Sequence, residues 1–108
     1  MTAATAPQYG QIERAVERLP FLARVQYRRG RFRAQVEVLD VSVLGAKVRS
    51  MDALRTGDPI WLSFPGLEPL EAIVTWADKF TCGCRFVKPM HIAVLEAMLA
   101  RRHRDLGW

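Results

Sequence analysis

Histidine and cysteine are scarce in this chain, two of each among 108 residues, and their placement excludes most chemistry that depends on them. Cys82 and Cys84 sit one residue apart. On a strand such neighbours point to the same face, where a disulfide between them is strained. Metal binding needs more ligands, and only His91 and His103 are available. The pair therefore reads as two reduced thiols in or beside a core, which suits a reducing, cytoplasmic compartment. The chain has no Ser/His/Asp arrangement, no paired-histidine site and no glycine-rich phosphate loop leading into a helix. Its acidic residues are scattered and mostly adjoin basic ones. The sequence is read as non-enzymatic and without a cofactor. Also missing are an apolar run long enough to span a bilayer and, in Met1 to Gly10, any stretch that reads as a signal peptide.

What is present is ordinary globular composition with a basic balance. Half of the residues are hydrophobic, a quarter are charged, and the net charge is +5, so one domain with one core is expected. A positive field of this size favours anionic partners.

Residues 1–10 read as a disordered tail with nothing to bury. Residues 11–20 form a charged arm, and Pro20 marks a break before the first strand. From Phe21 the period becomes two: Phe21, Ala23, Val25 and Tyr27 alternate with polar or outward positions. Arg29-Gly30 supplies a turn into a second strand carrying Phe32, Ala34, Val36 and Val38. Asp40 to Gly45 follows as a turn, and Ala46 and Val48 mark a third strand. Ile60–Phe64, Leu70–Trp76 and Thr81–Val87 give three more. Six short strands at this spacing predict a small antiparallel barrel or sandwich over residues 21–88. After Pro89 the period turns helical, with Ile92, Leu95, Met98 and Leu99 forming an apolar stripe over 91–104. Arginines at its end suit the helix dipole.

Two short motifs stand out. Arg14 and Arg18 lie four residues apart ahead of the first strand, and Asp40-x-Ser42-x-x-Gly45 follows the second. Either alone is weak, since a solvated arm and a Gly-closed turn look the same. Together, Arg-x-x-x-Arg, a hairpin and Asp-x-Ser-x-x-Gly resemble the signature of the PilZ family of cyclic di-GMP receptors. Thr56-Gly57-Asp58, Val74-Thr75-Trp76 and Gly83-Cys84-Arg85-Phe86 extend the resemblance over roughly residues 11 to 100, within a PilZ-like domain read as 11–104. Arg24/Arg28 and Arg29/Arg33 share the arginine spacing, but they fall within the hairpin, whereas the family motif precedes the first strand.

The resemblance implies an all-β six-stranded antiparallel barrel with a C-terminal helix. It also implies a cyclic di-GMP site built from Arg14, Arg18, Asp40, Ser42 and Gly45, with Trp76 as the candidate flat apolar surface. Guanidinium groups can fork onto a guanine edge or a phosphate and stack on a purine face. Asp40 can accept from guanine N1 and N2, Ser42 can donate to a phosphate oxygen, and Gly45 lets the backbone approach closely. Ligand binding is expected to order the arm and create a surface for an unidentified effector protein, as in motility, pilus or exopolysaccharide machinery. Glu13 stands where many relatives that hold two stacked ligands have arginine, which is expected to weaken binding or limit it to one copy.

Two other readings compete. A PilZ-fold adaptor that binds no nucleotide keeps the fold and drops the ligand. A nucleic-acid-binding barrel is favoured by Arg28, Arg29, Arg31 and Arg33, but disfavoured because most aromatics alternate toward the core. Met98, Leu99 and Leu106 offer an apolar strip through which a homodimer could form.

Overall fold

The structure is a computed structural model that describes residues 19–105, with side chains described through residue 101. The sequence expectations for residues 1–18, including Arg14, Arg18 and the arm, and for Leu106 lie outside the described residues. Six strands, β1 (Leu19–Arg29), β2 (Phe32–Val41), β3 (Gly45–Arg49), β4 (Pro59–Ser63), β5 (Leu70–Asp78) and β6 (Thr81–Phe86), precede helix α1 (Ile92–Asp105). They close into an antiparallel barrel in the order β1-β2-β3-β6-β5-β4, sealed by Gln26–Arg28 of β1 against Trp61–Ser63 of β4. This is the barrel with a C-terminal helix that the sequence implies.

The period-two residues fill the interior. Val25, Tyr27, Val36, Val38, Val48, Ile60, Leu62, Val74 and Phe86 are all buried, and Leu95 and Met98 of α1 join the same cluster. The helix begins at His91, whose carbonyl accepts from Val94 and Leu95 and whose Nδ1 accepts from the Ala93 amide at 3.0 Å. Its role here is that of a cap. Ile92, expected in the buried stripe, is 37% exposed instead, because as the first residue of the helix it has no preceding turn to pack beside it.

Pro20 lies inside β1 rather than before it, paired with Asp40. The interruption comes one step later, where the β1–β2 register shifts between Pro20 and Ala23 and Leu22 takes a positive φ of 37°. Such a bulge absorbs an extra residue on β1, while Phe21 and Ala23 keep the inward phase that Val25 and Tyr27 continue. Beyond the strands, the Tyr27 hydroxyl donates to Asp52 Oδ2 at 2.7 Å and ties the β3–β4 connection to the core.

Two buried acids make the barrel sensitive to alkali. Burial pushes the Cys82 thiol from an ordinary 9.0 up to about 11. Tyr27 moves the same way through burial, then through its hydrogen bond to the charged Asp52. Both groups hold their protons more tightly folded than unfolded, so their stabilisation is complete below about pH 9. For Cys82 it is lost as pH climbs from about 9 to about 11, and for Tyr27 from about 10 upward. Thermal melts followed by circular dichroism are expected to hold a steady midpoint to about pH 9 and then decline. A midpoint that stays level through pH 11 would contradict this account.

Candidate functional site

Both strand residues singled out in the sequence face a phase problem. Val36 and Val38 point inward, so strict alternation would drive Asp40 into the core. Ala72 and Val74 point inward, so the same rule would bury Trp76. Each strand bulges immediately before the residue in question. The β2–β3 register shifts between Val38 and Asp40, and the β5–β6 register shifts between Val74 and Trp76. Val41 then takes the inward place and is fully buried, while Asp40 is half-buried. Trp76 turns out to the surface at 39% exposure. Bulges are a recognised way to re-aim a side chain. The second is pinned by Thr75, whose hydroxyl donates to the Gly83 carbonyl at 3.2 Å.

The register brings these residues into one row across the outside of the barrel. Pro20 of β1 opposes Asp40 of β2, Asp40 opposes Lys47 of β3, Lys47 opposes Gly83 of β6, and Gly83 opposes Trp76 of β5. At the usual strand spacing, Asp40 and Trp76 backbones lie roughly 14 Å apart. The indole narrows that gap, because it leans back over Gly83. A Cβ on Gly83 would lie within 2.6 Å of Trp76 Cε2 and 2.8 Å of its Cδ1. Gly83 therefore makes the hollow that seats the ring. Lys47, half-buried and flanked by the inward Ala46 and Val48, stands in the middle of the row. Sequence reading passed over Lys47; its outward phase in β3 was the available signal.

The Asp40–Gly45 segment is more strand than turn. β2 runs through Val41 and β3 opens at Gly45, which leaves three residues between them. Ser42 is 3% exposed, and its Oγ accepts from the Leu44 amide at 3.1 Å and the Gly45 amide at 3.3 Å. Its own amide donates to the Gly45 carbonyl at 2.8 Å. The loop is held from outside as well: Phe86 N donates to Leu44 O and Met90 N to Val43 O, at 2.8 and 2.7 Å. Gly45 is required by backbone contact. An added Cβ would run into the Cys84 carbonyl oxygen and lie 3.1 Å from Arg85 Cα. In this arrangement Ser42 and the Gly45 amide brace the loop at the edge of the row. Of the sequence candidates, Asp40 and Trp76 share the row and Ser42 and Gly45 support it.

A closed six-stranded antiparallel barrel carrying an Asp-x-Ser-x-x-Gly corner defines a small β-barrel domain with one C-terminal helix. The PilZ domain model matches residues 12–101, most of the chain, and the chain belongs to the PilZ domain family. Among solved structures, the Borreliella burgdorferi PlzA protein in complex with c-di-GMP is similar at a TM-score of 0.60 and 16% identity. That match covers 93% of this chain and 45% of the PlzA chain, so this chain spans less than half of that protein. No curated protein matches. Among the described residues, no helix is long and apolar enough to cross a membrane.

Proposed function

We propose that this chain is a non-enzymatic cyclic di-GMP receptor whose ligand lies on the Asp40–Lys47–Trp76 row. The row is the observation that carries the reading, since it gathers a carboxylate, a cation and an aromatic face on one side of the barrel. Asp40 accepts from a guanine edge, Lys47 faces a phosphate, and Trp76, seated on Gly83, offers its free face to a purine. Arg14 and Arg18 clamp the ligand from the N-terminal side. Chain placement supports this, because Pro20 opposes Asp40 and Arg18 is two residues earlier. Family membership and the ligand in the PlzA complex support the same ligand class.

In this reading the ligand cross-links the arm to the barrel and orders it, and the combined surface is read by an effector protein in the cytoplasm. Amide exchange tests the ordering: residues 11–19 gain protection when ligand is added, and identical exchange with and without it would dismiss the mechanism. Calorimetric titration with cyclic di-GMP, GMP and cyclic di-AMP tests the receptor itself. Selective heat with cyclic di-GMP is expected, at one ligand per chain if Glu13 repels a second dianion. Neither heat nor a ligand-induced thermal shift would leave the fold and turn the function to that of an adaptor.

A further inference from the structure

A second polar site lies at the other end of the β1–β2 ladder. There a cleft of about 180 Å³ opens on the barrel's outer wall, lined by Gln26, Arg28, Arg33, Trp61 and Ser63, among others. Register explains the grouping. Arg28 opposes Arg33 on β2 and Trp61 on β4, and Gln26 opposes Ser63. Arg33 is seven residues along β2 from Asp40, roughly 23 Å of extended strand, so this cleft is separate from the row above.

Three features mark it as built for an anion. The Arg28 guanidinium sits over the Trp61 ring at 5.2 Å from its centre, and Arg28 Nη1 donates to the Gly30 carbonyl at 3.0 Å. The fork is thus held in place before any ligand arrives. Directly across lies Arg33, a like charge on a neighbouring strand, an arrangement that is unfavourable without an anion between. Finally, the adjacent Arg29 already has a carboxylate, Asp58 at 3.6 Å. Among the described residues Arg28 and Arg33 form no ion pair.

We infer that this cleft docks an acidic peptide segment of a partner protein, with carboxylates received by Arg28 and Arg33 and the peptide's polar groups met by Gln26 and Ser63. A fixed guanidinium fork matches a carboxylate in two hydrogen bonds. Single-stranded nucleic acid fits less well, because it needs free aromatic platforms. Here the one aromatic ring among the described residues that lines the outer face of the cleft, Trp61, carries Arg28. The inference does not depend on the nucleotide reading.

The test is fluorescence anisotropy with a fluorescein-labelled peptide of alternating glutamate and glycine, beside an oligothymidylate of similar charge. The peptide is expected to bind the full chain, with affinity falling as salt rises. Arg28→Gln with Arg33→Gln should weaken it at least ~10-fold, while Arg24→Gln, on the same strand's outer face, changes it less than ~2-fold. In the unsubstituted protein the peptide should shift the amide resonances of Gln26, Arg28 and Ser63. This mapping holds even if the double variant folds poorly. Absence of binding, equal binding in the double variant, shifts confined to other faces, or tighter binding of oligothymidylate would each overturn the inference.

Discussion

Gly45→Ala is expected to destabilise the barrel by about 3 kcal/mol or more, a large share of the ~5–15 kcal/mol available to a domain of this size. The new methyl group meets the Cys84 carbonyl oxygen, which is main chain on the neighbouring strand and cannot swing aside. The β3–β6 ladder runs from Gly45↔Arg85 to Arg49↔Thr81, so relief requires its first pairs to open. The same ladder sets Lys47 against Gly83 in the middle of the candidate row. Ligand binding should therefore fall along with stability. Gly30→Asn provides the contrast. Gly30 needs its positive φ of 60° for the β1–β2 turn, yet a Cβ there meets nothing within 4 Å. Asparagine tolerates that conformation, so the cost should stay below ~1 kcal/mol. Urea unfolding of the two variants decides the matter. If Gly45→Ala unfolds at the same urea concentration as Gly30→Asn, steric contact with β6 is not why this signature position is glycine.

The strands were legible because their inward residues repeat every second position without a break over most of their length. The helix was legible because Leu95, Met98 and Leu99 change that period. What could not be read was the row. Its members come from β2, β3, β6 and β5, and β6 lies between β3 and β5 only in the folded barrel. No local pattern announces that order, so Lys47 went unnoticed between two residues that had been singled out. The bulges were half-legible. Asp40 in phase with Val36 and Val38 is a charge at a core position, and such a conflict signals that the strand must slip by one. Trp76 in phase with Ala72 and Val74 gives no such warning, because a tryptophan is as acceptable inside as outside. Gly45 was read for closeness to a ligand. The closeness the structure supplies is to Cys84, a partner 39 residues away that sequence spacing does not reveal.

Arg14→Ala combined with Arg18→Ala is expected to reduce cyclic di-GMP affinity by at least ~100-fold while leaving the melting temperature unchanged. On the proposed reading two charge-assisted clamps are lost together, at ~1.5–3 kcal/mol each for bonds to a charged group. Both are charged residues that precede β1 in the sequence, and such side chains are rarely part of a core. Ser42→Ala should behave differently. Its Oγ is the acceptor for the Leu44 and Gly45 amides, and alanine leaves both without that partner. An unsatisfied buried amide costs ~1–3 kcal/mol. A loss of ~1–2 kcal/mol lowers the melting temperature of a small domain by ~5–15 °C. Binding should weaken by about 10-fold, since the Asp40 corner loses its brace. The two variants thus separate clamping from bracing on two axes, calorimetric affinity and thermal midpoint. If Ser42→Ala abolishes binding with no thermal penalty, its hydroxyl acts on the ligand directly and the brace is incidental. If the arginine pair can be removed without loss of affinity, the ligand is held by the row alone, and an arm that closes over it has no part in recognition.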